Sequence, residues 1–267
     1  MSNFVVRGIT GFFFVLIIIL VTIFGDWYFY TLFGLVSIVS LNEFYHLFNK
    51  TENSPNISQG LILGSLLYII GIYSITNIEL NIYFIALIIL IFPLIAFAEL
   101  FRAKKTPFFN MGITLIGIIY IITPFLIINL LRLNQTDYWL VLSIFLLTWT
   151  SDTFAYLVGR KIGKHKLFER LSPKKSWEGF IGGFLATIFV GFLIAYLTED
   201  NMIKFMIYGA IISVFGTLGD LVESMLKRSL KIKDTGNILP GHGGLLDRFD
   251  AIIFVIPIIY SIEILCF

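Results

Sequence analysis

The sequence predicts an all-α, polytopic integral membrane protein of about nine transmembrane helices, N-terminus inside and C-terminus outside. Three observations carry that prediction. The 267 residues are 58% hydrophobic and only 13% charged, with a mean hydropathy of +0.92. Soluble domains run near 25% charged, so a chain this poor in charge has too little polar surface to cover itself in water, and disorder is excluded for the same reason. Apolar runs of bilayer length recur along the whole chain. Finally, the basic residues fall almost entirely between alternate runs.

The runs lie at about 9–25, 27–45, 60–76, 81–98, 110–131, 138–157, 179–197, 203–221 and 251–266. They are rich in Ile, Leu and Phe without strict alternation, so they do not read as barrel strands. The first follows a lone Arg7 and resembles a secretion signal, but Gly25-Asp26-Trp27-Tyr28 offers no small-x-small cleavage site and a second run begins at once. It is expected to remain as a span. The 60–76 run is the shortest on signal, and Lys50 to Gln59 is the best candidate for a flexible linker. Residues 1–150 read as a hydrophobic membrane-spanning region, and 151–267 as a region with two long basic loops, the two forming one continuous membrane unit.

If the chain crosses nine times, 17 of its 19 Lys and Arg residues share one side, leaving only Arg132 and Lys204 on the other. By the positive-inside rule the basic side is cytoplasmic. Trp27, Tyr28, Tyr30, Tyr138 and Trp139 fall at expected outer ends, where amphipathic rings prefer the interface. Arg132 and Lys204 read as ordinary end-of-span anchors, His46 as a helix-end residue, and Glu263, near the outer end of the last run, as a control position whose change to Gln should leave turnover little altered. The single Cys266 excludes an internal disulfide and a thiolate zinc cluster.

Candidate chemistry concentrates between Asp152 and Asp250. The first basic loop ends in Ser172-Pro173-Lys174-Lys175-Ser176-Trp177-Glu178-Gly179, which puts hydroxyls, ammonium groups and a carboxylate at the mouth of a span. Such a loop can also be no more than a topology signal lying on anionic headgroups. Asp152 is an acidic group near a span end, costly unless paired or ligating. In the second region Asp220, Glu223 and Lys227 fall at i, i+3 and i+7, on one face if the helix continues, with Ser224 and Arg228 on the adjoining stripe. Lys233-Asp234, Pro240-Gly241-His242-Gly243-Gly244 and Asp247-Arg248-Phe249-Asp250 follow. Glycines at a helix start let backbone N–H groups approach an anion, although this is neither a Walker A loop nor a dinucleotide fingerprint. Carboxylates beside basic groups suit magnesium-dependent phosphate chemistry, because the metal takes hard oxygen ligands and the phosphates take Lys and Arg. The plain alternative for Asp220 is a helix-end carboxylate paired to Lys227. His242, between glycines, reads either as a surface residue or as an acid–base or phosphate-binding group.

These residues carry a resemblance. The 27-residue stretch from Ser224-x-Leu226-Lys227-Arg228 through Lys233-Asp234-x-Gly236 and Leu239-Pro240-x-His242-Gly243-Gly244-Leu245 to Asp247-Arg248-Phe249-Asp250 resembles the signature of the phosphatidate cytidylyltransferases, also called CDP-diacylglycerol synthases. The S-P-K-K-S-W-E-G block and the D-x-x-A-Y-x-x-G-R segment upstream resemble that family too. The resemblance implies a magnesium-dependent nucleotidyltransferase of phospholipid synthesis, with a two-cation centre. CTP and phosphatidate would give CDP-diacylglycerol and pyrophosphate at the cytoplasmic face of a bacterial inner membrane. It implies Asp220 and Asp247 as metal ligands, with Lys227, Arg248 and His242 at the reacting groups. Ser172, Lys174, Lys175, Trp177, Glu178, Ser224, Arg228, Lys233, Asp234, Gly243, Gly244 and Asp250 would meet substrate. Membrane lipid and a second copy of the chain are candidate partners, and no nucleic acid is expected. The residues alone also allow a different magnesium-dependent lipid-phosphate transferase, a cation-coupled transporter built on Asp152 and Asp220, or a scaffold that binds anionic lipid.

Overall fold

The computed structural model describes residues 3–77, 81–134, 138–239 and 243–267. It is an all-α membrane fold. Eight described helices are long and apolar enough to cross a bilayer, and Gly8–Phe24 is a shorter apolar helix. The chain divides into two compact units, the first formed by Met1–Leu133 with Asp234–Arg248, the second by Asn134–Lys233 with Phe249–Phe267.

The first unit begins with α1 (Asn3–Phe24) and α2 (Asp26–His46), joined at Gly25. Gly25 has φ +96, a conformation that a side chain would strain. His46 Nδ1–H donates to Asn42 O at 2.7 Å and ends α2, as its place in the sequence suggests. α3 (Ile57–Thr76) starts at Asn56, whose side chain accepts from Gln59 N. α4 (Asn81–Leu100) carries Pro93 in its interior and has the most exposed apolar surface, including Ile82, Ile85, Ile89 and Phe97. Such a surface is stable against lipid and costly against water. α5 (Pro107–Gly117) opens on a proline at its first position. It continues through a π-helical turn, Ile118–Ile122, into α6 (Thr123–Asn134), so that 107–133 reads as one crossing.

The core of this unit is aromatic and β-branched: Phe29, Phe33, Tyr45, Ile121, Phe125 and Ile128 are fully buried. Several of its buried polar groups are hydrogen-bonded, which offsets the cost of burying them. Tyr45 Oη donates to Thr114 O at 2.7 Å, Tyr68 Oη to Tyr30 O at 2.8 Å, and Asn129 Nδ2 to Tyr68 Oη at 3.1 Å.

Residues 51–56, expected as a flexible linker, are instead tied down. Ser54 N donates to Asn110 Oδ1 at 2.7 Å, Asn56 N to Thr114 Oγ1 at 3.0 Å, and Arg102 Nη1 to Ser54 O at 2.9 Å. Arg102 in turn pairs with the buried Glu99 at 2.6 Å. The polar residues that suggested flexibility are the ones that bond, and they do so to groups remote in sequence.

The second unit holds α7 (Trp139–Ile162), a hairpin of β1 (Lys166–Phe168) and β2 (Ser172–Ser176), α8 (Trp177–Thr198), α9 (Met202–Ser229) and most of α10 (Leu246–Cys266). The hairpin is antiparallel, with Lys166 opposite Ser176 and Phe168 opposite Ser172. It interrupts an otherwise helical chain. Ser176 caps α8, its hydroxyl accepting from Gly179 N at 3.2 Å. α7 and α8 approach closely because Gly179 and Gly183 face α7: a Cβ would stand 2.6 Å from Ala155 O at the first and 2.8 Å from Ser151 O at the second. Small residues serve membrane helices in this way by letting backbones meet.

At the other end of this unit Lys204, expected as an end-of-span anchor, has a specific partner: its Nζ bonds Glu263 Oε1 at 2.9 Å and lies over the rings of Tyr208 and Phe267. Tyr208 Oη bonds the other carboxylate oxygen. A lysine inside an apolar bundle needs such a counter-charge.

Two further contacts of the first unit join helix ends remote in sequence. Asp26 lies 4.0 Å from Arg132, and the loop after α2 bonds the loop after α4.

Candidate active site

In the second unit, α7, the hairpin, the start of α8 and α9 surround a pocket of about 270 Å³. Asp152, Ala155, Tyr156, Gly159 and Arg160 line it from α7, at the i, i+3, i+4, i+7 and i+8 positions of one helical face. Lys174, Lys175 and Ser176 line it from β2, Phe180 from α8 and Thr217 from α9. The pocket thus gathers one carboxylate and three cations among hydroxyl and apolar groups.

Lys175 forms an ion pair with Asp220 on α9, both side chains about one-third exposed. Asp220 Oδ1 also accepts from Ser224 Oγ at 3.3 Å. α9 does continue past Asp220, as the spacing requires, but the plain pairing of Asp220 with Lys227 is not what forms. Lys227 Nζ bonds Glu223 Oε1 at 2.9 Å, and Glu223 is fully buried. Asp250, half-buried on α10, lies under the electrostatic influence of Asp220, Lys227 and Asp152. The structure therefore brings together Lys174, Lys175, Asp220, Ser224, Lys227 and Asp250 from the expected set.

Other expected residues stand differently. Glu178 turns toward its own hairpin: its carboxylate accepts from Lys164 N at 3.1 Å and from His165 N at 3.2 Å, and meets His165 Nδ1 at 2.6 Å. Trp177 is half exposed and packs edge-on against Phe180. Ser172 pairs with Phe168 in the hairpin. Arg228 donates to Ile232 O at 3.1 Å, and Lys233 is exposed.

In the first unit, Asp234, Gly243, Gly244, Asp247 and Arg248 belong to the loop that enters α10. Asp247 Oδ2 accepts from Thr235 N at 3.0 Å and Gly244 N at 2.9 Å, closing the loop on itself. Gly243 has φ +86, and a Cβ there would stand 2.9 Å from the same carboxylate oxygen. Asp234 and Arg248 are exposed. His242 lies outside the described residues.

Among the pocket residues not singled out from sequence as site residues are Tyr156, Arg160 and Thr217. For the first two a signal existed, since the D-x-x-A-Y-x-x-G-R spacing lays them on the stripe of Asp152. Among the described residues no three His, Cys, Asp or Glu side chains converge to hold a metal on their own. The donor set nevertheless fits magnesium, which takes one or two protein carboxylates and completes its octahedron with water and substrate phosphate oxygens. It does not fit structural zinc, which takes four protein ligands, mostly Cys and His.

Comparison with known proteins agrees with this chemistry. A family model described as the cytidylyltransferase family matches residues 5–265. A phosphatidate cytidylyltransferase of Staphylococcus aureus (strain COL) is 42% identical over 158 residues, 58% of this chain and 60% of the relative. One of Staphylococcus haemolyticus is 38% identical over 187 residues, 69% of each. One of Staphylococcus saprophyticus is 39% identical over 176 residues, 65% of this chain and 66% of the relative. The match thus spans 60% of the length of the S. aureus relative. With a family match that runs almost from end to end, the chain belongs to the cytidylyltransferase family.

Proposed function

We propose that the chain transfers a cytidylyl group from CTP to phosphatidate. A phosphate oxygen of phosphatidate attacks the α-phosphorus of CTP. The bond from that phosphorus to the α,β-bridging oxygen breaks, and pyrophosphate leaves with the electron pair. The attacking oxygen is already anionic, so no protein base is needed, and catalysis rests on positioning and charge stabilisation. The observation that carries this reading is the pocket of the second unit, which Asp152, Arg160, Lys174 and Lys175 line together, with Asp220 held by Lys175. A polyanionic nucleotide needs those cations, and an apolar flank formed by Ala155, Leu167 and Phe180 suits a lipid.

Asp220 and Asp247 are proposed as magnesium ligands, each on the chemistry of its own surroundings. When bound, the metal offsets the charge of the triphosphate oxygens. Lys227 and Arg248 then add positive charge, and Ser224 orients Asp220. We further propose nine crossings with the N-terminus inside, a cytoplasmic active site in a bacterial inner membrane, and a homodimer. The distribution of basic residues supports the orientation.

The test is direct. Purified protein in mixed micelles is given phosphatidate, magnesium and CTP labelled in the cytidine. Label is expected in the lipid fraction, with one pyrophosphate released per lipid labelled. Folded, monodisperse protein that transfers no label would refute the reading. Cross-linking of the full-length protein in native membranes tests the dimer.

A further inference from the structure

Glu43 drew no attention in the sequence, being one acidic residue near the end of an apolar run. In the structure it is 4% exposed. A carboxylate so buried is costly unless its charge is met by donors. Its two oxygens accept backbone N–H groups from Leu245 at 3.0 Å and Leu246 at 2.8 Å, where α10 begins. Those donors have no partner within the helix, and the end of the helix they form favours negative charge. The loop is also shaped around this side chain. A Cβ on Gly236 would stand 2.5 Å from Glu43 Oε1, and one on Gly244 would stand 2.8 Å from Oε2. Asp247 and Arg248 follow directly on the two anchored amides, and Asp247 ties Thr235 and Gly244 into the same turn.

We propose that Glu43 is a positioning residue of the cytidylyl-transfer reaction: it holds the first turn of α10 and so sets the aim of Asp247 and Arg248. Both carboxylate oxygens are spent on backbone donors, so Glu43 acts through the loop rather than on substrate. The proposal rests on the function put forward above.

The test uses full-length wild type, Glu43→Gln, Glu43→Asp and Gly236→Ala in one detergent. Hydrogen exchange is read over 243–248 and, as reference, over α3. An amide has one accepting oxygen and no charge, and its Nε2 would face one of the two N–H donors, so Glu43→Gln should speed exchange over 243–248 by about tenfold with α3 unchanged. In the kinetic assay it should raise KM for CTP by about tenfold while KM for phosphatidate stays within about twofold. Gly236→Ala presses on Glu43 and should shift both readouts the same way. Combined with Glu43→Gln it should add less than its separate effect. Glu43→Asp should recover part of the CTP affinity. Unchanged exchange over 243–248 in Glu43→Gln overturns the proposal. So does faster exchange with unchanged KM for CTP, which would leave Glu43 a purely structural residue. If Glu43→Gln does not fold, Gly236→Ala and Glu43→Asp decide by the same criteria. If wild type itself transfers no cytidylyl group, the function reading fails, and the exchange data still show whether Glu43 anchors the loop.

Discussion

Glu263→Gln removes a single charge from the group formed by Lys204, Glu263 and Tyr208. The side chains of Lys204 and Glu263 are 11% and 15% exposed and lie 2.9 Å apart. Removing one partner of a fully buried pair costs about 3–5 kcal/mol, mostly because the other charge is left without compensation. The residual exposure here, and the amide oxygen that can still accept from Lys204, bring the expectation to about 2–3 kcal/mol. For a chain of 267 residues that is a fall of about 4–5 °C in Tm. The assay is thermal unfolding followed by fluorescence-detected size exclusion in a fixed detergent. Lys204→Met should fall comparably. The double variant Lys204→Met/Glu263→Gln removes both charges while leaving Tyr208 an acceptor, and should recover to within about 1 kcal/mol of wild type. Glu263 does not line the pocket, so turnover of folded Glu263→Gln well below its Tm should match wild type. A Tm equal to wild type, or a double variant whose loss is the sum of the two singles, would refute the reasoning.

Asp220→Asn keeps the shape of a proposed metal ligand and removes its charge; turnover should fall at least about a hundredfold, or about 2.7 kcal/mol in the barrier, with only partial rescue by added magnesium. Asp247→Asn should fall as far in the same assay, and near-normal turnover with unchanged magnesium dependence removes either residue from the metal site. Lys174→Gln/Lys175→Gln should weaken catalysis while the protein still inserts and folds, and normal kinetics with normal insertion would take both lysines out of the site. A reporter active only outside the cytoplasm should work when fused after Phe267, and activity only on the cytoplasmic side would change the number of crossings by one.

The helices were legible because lipid imposes a simple rule on composition, and the expected runs coincide with helices to within a residue or so at their ends, the 110–131 run being divided by a π-helical turn. What escaped the sequence was made by contacts remote along the chain. The β-hairpin at 166–176 was read only as a basic loop, since three- and five-residue strands leave no periodic signal among lysines. Glu43 gains its meaning from Leu245, 202 residues away. The linker reading of 50–59 failed because Asn and Ser look alike in sequence whether they face water or bond Asn110 and Thr114. In the candidate site, Lys174, Lys175 and Asp220 were legible by residue type and spacing. Arg160 and Tyr156 were legible in principle from the helical stripe of Asp152. The pairing of Lys175 with Asp220 was not, because it depends on where the hairpin folds back.

The length of α9 has a consequence of its own. Its 28 residues extend for about 42 Å at the rise of an α-helix, whereas the hydrocarbon core is about 30 Å thick. The excess amounts to about two turns, and the charged residues from Asp220 to Arg228 gather at one end of the helix, so its length suffices to carry them past the hydrocarbon. On the function proposed above, such an overhang would hold these side chains near the depth of a lipid phosphate, where a water-soluble nucleotide could reach them without entering oil. Bilayer thickness then becomes a variable of the reaction. A thicker membrane would draw these charges toward acyl chains, and a helix in such a mismatch responds by straightening or by thinning the lipid around it.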